Sequence, residues 1–141
     1  MTFEKDTSAG YLVNHVARIF ARALTDEIRP LGLAPAPFAI LLELWREEGL
    51  TQRQLVERLD LEQATVANTL SRMERDGLIE RRPMVDDARA QAIHLTAMAR
   101  ALETPATAAA SAVNRRLMAA VSSADREHLF RTLRLLIDAS R

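Results

Sequence analysis

The 141 residues include no cysteine. That absence excludes disulfides, thiolate metal sites and thiol-based redox sensing. Lysine is almost missing too: Lys5 is the only one, so 18 of the 19 basic residues are arginines. Arginine presents a planar fork that pairs with phosphates and guanine edges, although a GC-rich coding sequence produces the same bias without any such role. An excess of one charge is also absent. Nineteen basic residues balance 19 acidic ones, whereas nucleic-acid binders commonly carry a basic surplus. No long apolar run occurs: stretches such as Phe38 to Leu42 fall far below the roughly 20 residues needed to cross a bilayer. The polar opening Met1 to Gly10 lacks the apolar core of a secretory signal. A cytoplasmic protein with no membrane partner is expected.

Catalytic groupings are equally sparse. His15, His94 and His128 fall on separate predicted elements, with no Cys, Asp or Glu at metal-ligand spacing. There is no glycine-rich phosphate loop and no nucleophile motif, and Glu47-Glu48 and Asp86-Asp87 read as solvated surface rather than an acid-base couple. The sequence predicts no enzyme activity, no metal and no cofactor.

What is present is an ordinary globular composition, 48% hydrophobic and 27% charged, in a chain long enough for one domain. From Tyr11 to Ile28, Leu12, Val16, Ile19, Phe20, Ala23 and Leu24 recur at helical spacing until Pro30 and Gly32 stop the pattern. A second helix starts at Pro35, where the missing N–H does no harm, and runs through Leu41, Leu42 and Trp45 to Gly49. Thr51-Gln52-Arg53-Gln54 fits a reciprocal capping box and opens a short helix through Leu55 and Leu59. Past Asp60-Leu61-Glu62, Val66, Leu70 and Met73 mark the buried stripe of another helix, closed by Gly77.

The period then changes. Leu78 to Arg82 and Gln91 to Leu95 read as two short strands around a polar loop containing Pro83, Asp86, Asp87 and Arg89. Thr96 caps an alanine-rich helix extending towards Val121, which Pro105 should kink or divide. Ser122 and Asp125 start a last helix with Leu129, Phe130, Leu133, Leu136 and Ile137 on one face. The fold class is mainly α with a small β-hairpin wing: a winged helix-turn-helix plus N- and C-terminal helices. That order places a short helix in a major groove with the hairpin beside it.

With Val66, Leu70 and Met73 inward, steps of about 100° per residue put Ala64, Asn68, Ser71 and Arg75 on the outward face, with Ala67 and Arg72 at its margins. Small residues allow close approach to a groove, while Asn and Arg can pair with adenine, guanine or phosphate. Any amphipathic surface helix has a polar outer face, so the hairpin with an arginine near its tip adds weight that the face alone lacks.

Leu50-Thr51-Gln52-Arg53-Gln54-Leu55-Val56-Glu57-Arg58-Leu59, then Ala64-Thr65-Val66, then Met73-Glu74-Arg75-Asp76-Gly77-Leu78-Ile79-Glu80-Arg81 resemble the helix-turn-helix and first wing strand of the multiple antibiotic resistance regulator (MarR) family. Asp87-Ala88-Arg89-Ala90, ending in His94-Leu95-Thr96, is similar to that family's wing. The resemblance implies one MarR-like domain over 1–141, with a winged helix-turn-helix lobe at 33–96 and dimerisation helices at 7–30 and 97–141. It implies a homodimeric repressor, released from an inverted repeat of double-stranded DNA by a small aromatic or anionic effector. The implied DNA-binding residues are Thr51, Gln52, Gln63, Ala64, Thr65, Ala67, Asn68, Ser71, Arg72, Arg75, Arg81, Asp87 and Arg89. The implied effector residues are Tyr11, His15, Arg18 and Phe38.

Two departures stand out. Asp87-Ala88-Arg89 replaces the family's frequent Asp-Arg-Arg, and Thr65-Val66-Ala67-Asn68 replaces Thr-Val-Thr-Arg. Losing two arginines removes phosphate neutralisation. Within the wing, the Asp87 carboxylate is expected to hold the Arg89 guanidinium in position. An alternative from another class, a winged-helix module used only for protein contacts, suits the zero net charge.

Overall fold

A computed structural model of the chain describes residues 2–87 and 89–141. Ala88, the departure in the wing, lies outside the described residues. A long helix α1 (Ala9–Ile28) is capped by the Ser8 hydroxyl, which accepts from the Tyr11 N–H at 3.3 Å. A short 3-10 turn (Arg29–Leu31) and left-handed Gly32 stop it where Pro30 and Gly32 predict. Helix α2 (Pro35–Arg46) begins at Pro35 with no side-chain cap from Ala34.

Helix α2 ends short of Gly49 for a visible reason. Glu47 is extended, and the Gly49 N–H is drawn to the Ile93 carbonyl at 2.8 Å. That bond opens a strand that two residues were too few to reveal, β1 (Leu50–Thr51). The capping box then starts α3 (Gln52–Leu59): the Gln54 N–H donates to Thr51 Oγ1 at 3.1 Å, and the Thr51 N–H donates to Gln54 Oε1 at 2.8 Å. Left-handed Asp60, φ 53°, turns the chain into α4 (Gln63–Arg75).

Gly77, φ 78°, closes α4 because the closure needs a left-handed residue there. The Leu78 N–H reaches the Met73 carbonyl at 2.9 Å and the Gly77 N–H reaches that of Glu74 at 3.1 Å, the paired bonds that satisfy orphan helix carbonyls. Leu78 is thereby committed to the helix, so the wing strand β2 spans Ile79–Pro83, one residue later than predicted. It pairs antiparallel with β3 (Gln91–Leu95), and β3 pairs on its other edge with β1, giving the order β1-β3-β2. The sheet has three strands where the sequence suggested a hairpin alone.

Thr96 caps α5 (Ala97–Ala101), accepting from the Ala99 N–H at 3.2 Å. The alanine-rich helix divides at Leu102, and Pro105 falls in the first turn of α6 (Glu103–Leu117), where its missing donor is tolerated. Helix α6 stops before Val121 because Ser122 must be extended (ψ 159°) to cap α7 (Ser123–Ala139), which it does by accepting from the Asp125 N–H at 3.1 Å. No single helix among the described residues is long and apolar enough to cross a membrane.

The core sits in the lobe built by α2, α3, α4 and the sheet. Ile40, Leu41, Leu44, Leu55, Val66, Leu70, Met73 and Ile93 are at most 1% exposed, while Leu42, read as one of the helix's apolar residues, faces out at 40%. Trp45 stacks edge-on against Phe38 at 6.0 Å and donates from Nε1 to the Ala99 carbonyl at 3.0 Å, tying α2 to α5. Helix α1 packs along α6, yet Leu12, Val16 and Ile19 are 43–49% exposed. Helix α7 contributes no buried residue.

Candidate nucleic-acid interface

Helix α4 buries Val66, Leu70 and Met73 as the wheel requires, and Thr69 with them. Thr69 is polar and was not read as core. Its hydroxyl is satisfied by donating to the Thr65 carbonyl at 2.7 Å, the back-bond that lets Thr be buried in a helix. Opposite the stripe, Gln63, Ala64, Thr65, Asn68, Ser71, Arg72 and Arg75 are exposed, and Ala67 is half-buried at the margin. Gln52 at the start of α3 donates from Nε2 to Gln63 Oε1 at 3.3 Å, so the N-termini of both helices present one polar edge. Thr51, assigned to DNA, is largely occupied as the helix cap.

Arg81 behaves differently from the exposed arginines of α4. Its side chain is 21% exposed and its Nε lies 3.5 Å from Glu74 Oε1, which ties β2 to the back of α4. One residue on, Arg82 is exposed on the outer face of the wing and pairs with Glu80, its neighbour two residues back on the same strand face. Arg82 was missed, and the outward period-2 positions Glu80 and Arg82 were the available signal.

At the wing tip the expectation for Asp87 needs correction. Asp87 Oδ1 accepts the Arg89 backbone N–H at 3.0 Å, so it shapes the turn rather than gripping the guanidinium. The Ala90 N–H donating to the Asp87 carbonyl at 3.1 Å and the Met84 N–H donating to the Ala90 carbonyl at 2.9 Å complete that turn. A short polar side chain two residues before the arginine favours this backbone bond on local geometry alone.

Behind the wing lies the most perturbed ionisable group. Glu48 accepts two 2.9 Å bonds from Arg100 and the Leu95 N–H at 3.0 Å, with His94 Nδ1 3.5 Å away. The Arg100 hydrogen bond, against the opposing cost of desolvation and with help from Leu95, holds its carboxyl at about 2.

The proposed effector residues do not converge. Phe38 is buried and lines a cavity of about 380 Å³ with Leu24, Leu42, Thr107, Ser111 and Asn114. Tyr11 and His15 stack edge-on at 6.2 Å on the outside of α1, and neither they nor Arg18 line that cavity. Among the described residues no group of His, Cys, Asp and Glu could hold a metal ion.

Two helices joined by a tight turn, the second outward-facing and flanked by a β-wing, define a winged helix-turn-helix protein. Residues 33–91, fewer than half of the chain, match the model of the MarR family. Among curated proteins, the chain is 35% identical over 80 residues to the organic hydroperoxide resistance transcriptional regulator of Bacillus subtilis, covering 54% of each. It spans between 50% and 61% of the length of three curated relatives it matches, all transcriptional regulators. A probable transcriptional regulator from Pseudomonas aeruginosa superposes with a TM-score of 0.86 at 28% identity, over 94% of this chain and 99% of that one. A MarR family protein from Mycobacterium tuberculosis, solved with salicylic acid, superposes with a TM-score of 0.72 at 26% identity, over 92% and 96%.

Proposed function

We propose that the chain is a homodimeric, sequence-specific DNA-binding transcription regulator, a repressor released from an inverted-repeat operator by a small-molecule effector. The observation that carries this reading is the exposed polar face of α4, with Asn68, Ser71, Arg72 and Arg75 outward beside a wing that carries Arg82 and Arg89. Small side chains at Ala64 and Ala67 leave room for the helix to approach base edges. The zero net charge is compatible because what matters at a groove is the local sign, and the outward positions of α4 include Arg72 and Arg75.

Dimerisation follows from uncovered apolar surface. Helices α1, α6 and α7 enclose an open groove of about 660 Å³ lined by Leu12, Val16, Phe20, Leu129, Phe130 and Leu133. A contiguous apolar groove of this kind marks an interaction site. A second copy, supplying the same helices about a two-fold axis, covers both grooves at once. Two recognition helices related in this way engage half-sites about one turn of DNA apart, roughly 34 Å.

For the effector, the cavity beside Phe38 supports a small molecule with one aromatic or apolar face and a polar edge, met by Thr107, Ser111 and Asn114. The salicylic acid bound to the Mycobacterium tuberculosis relative is a molecule of that size. With no cysteine in these 141 residues, thiol oxidation is not the trigger. Incubating the protein with random-sequence duplexes and sequencing the bound fraction tests the reading. An enriched inverted repeat supports it, and a bound fraction indistinguishable from the input rejects it.

A further inference from the structure

Among the described residues, the one long-range polar attachment of the α7 segment lies just past the helix, at Arg141. Arg141 donates from Nη1 to the Glu57 carbonyl at 2.9 Å, and from Nη2 to Asp60 Oδ2 at 2.9 Å and the Arg58 carbonyl at 3.4 Å. Its partners lie 81 to 84 residues away in sequence. All three belong to the last turn of α3 or the residue that ends it.

The chemistry of that end explains the attachment. A helix leaves its final carbonyls without intrahelical donors and with partial negative charge. Left-handed Asp60, φ 53°, turns the backbone away sharply and adds a carboxylate beside those carbonyls. A planar guanidinium with five donors satisfies carbonyls and carboxylate together, which a lysine ammonium cannot match in geometry. Arg141 is therefore a C-terminal cap on α3 delivered by a different helix.

Its consequence depends on what α7 otherwise touches. Helix α7 buries no residue within the chain, and its apolar face lines the groove assigned above to a second copy. Helix α3 is in turn fixed to α4, through the shared core and through the Gln52 to Gln63 hydrogen bond. The path from the dimer surface to the DNA-reading helix thus runs along α7, through the Arg141 guanidinium, into α3.

We infer that Arg141 is a positioning residue for DNA recognition, tying the dimerisation helix to the helix-turn-helix so that the two copies of α4 are held at one separation. The inference rests on the dimeric DNA-binding function proposed above. It assigns to Arg141 discrimination between operators that share half-sites and differ in spacer length, without contact to DNA.

The test uses the full chain and its Arg141→Ala and Arg141→Lys variants. The probe is the inverted repeat that the unaltered protein enriches from random duplexes, together with the same repeat lengthened or shortened by one and two base pairs. Arg141 and Asp60 are 44% and 58% exposed, so the preference should change by about fivefold, equivalent to the ~1 kcal/mol upper range of an exposed pair. Arg141→Ala should lose that much preference for the selected spacer while remaining dimeric, and Arg141→Lys should fall between. Hydrogen exchange without DNA supplies the second readout: amides at Asp60 and Leu61 should exchange faster in Arg141→Ala, and amides of α4 should not. Unchanged spacer preference overturns the inference, even with faster exchange, because Arg141 would then only cap α3. If the unaltered protein binds no duplex, the DNA-reading function fails and the inference with it, whereas binding with wild-type spacer preference in every variant overturns the inference alone.

Discussion

Glu48 and Arg100, 52 residues apart, are joined by two parallel 2.9 Å hydrogen bonds, from Arg100 Nε to Glu48 Oε2 and from Nη2 to Oε1. Glu48 follows α2, Arg100 lies in α5, and the same carboxylate receives the Leu95 N–H from β3. One side chain thus fastens the wing strand and the helix leading to α6 onto the recognition lobe.

Acid sensitivity follows from that fork. The Glu48 carboxyl is held at about 2, below its ordinary 4.5. A depressed acid contributes stability that is fully present above pH 4.5 and is lost as the pH falls towards 2. Glu48→Gln should remove most of this slope and, with the side chain 30% exposed, cost about 1–2 kcal/mol at neutral pH. Chemical denaturation at pH 7 and pH 3.5 checks it. Equal losses for both proteins on acidification would contradict the assignment.

The groove between α1, α6 and α7 should report oligomeric state. Leu133 lines it and is only partly covered within the chain. Leu133→Asp places a charge in the proposed interface, where an unpaired carboxylate is costly, and should yield a folded monomer by sedimentation with an unchanged circular dichroism spectrum. A variant that stays dimeric at micromolar concentration would remove α7 from the interface.

On α4, Asn68→Ala and Arg72→Ala should each weaken the selected repeat by roughly 1–3 kcal/mol if the side chain reaches a base edge. Random DNA should suffer less. Equal losses on both duplexes would restrict these residues to phosphate contact.

The wing predicts a chemical distinction between two substitutions at Asp87. Since Asp87 Oδ1 accepts the Arg89 backbone N–H, Asp87→Asn keeps the acceptor and should retain DNA affinity, while Asp87→Ala should lose affinity in the same direction as Arg89→Ala. Were the carboxylate charge what matters, Asn would be as damaging as Ala. Arg89→Ala itself should lower the salt slope by about one unit with the melting temperature nearly unchanged.

Most of the architecture was legible because it is written in local signals. Thr51 and Gln54 announce a helix start with their own side chains, Gly77 announces an end through its left-handed backbone, and Pro105 marks the division between α5 and α6. What stayed hidden depends on partners distant in sequence. Strand β1 exists because Gly49 pairs with Ile93, and Arg141 meets α3 across more than 80 residues. The outward face of α4 was readable from three buried positions, but the grouping of effector residues was not. Tyr11 and Phe38 both look aromatic and available in the sequence, and only packing shows one outside α1 and the other inside a cavity.

The central claim is that α4 and the wing read DNA, and its most direct measurement is the affinity of the unaltered protein for its selected inverted repeat across a range of salt concentrations. Neutralised phosphates release counterions, so the logarithm of affinity should fall linearly with the logarithm of salt, with a slope near −0.9 for each phosphate engaged, and Arg72→Ala or Arg89→Ala should flatten it if those side chains engage phosphates. A protein-contact module predicts a slope near zero or no binding at all, and either result would contradict the account.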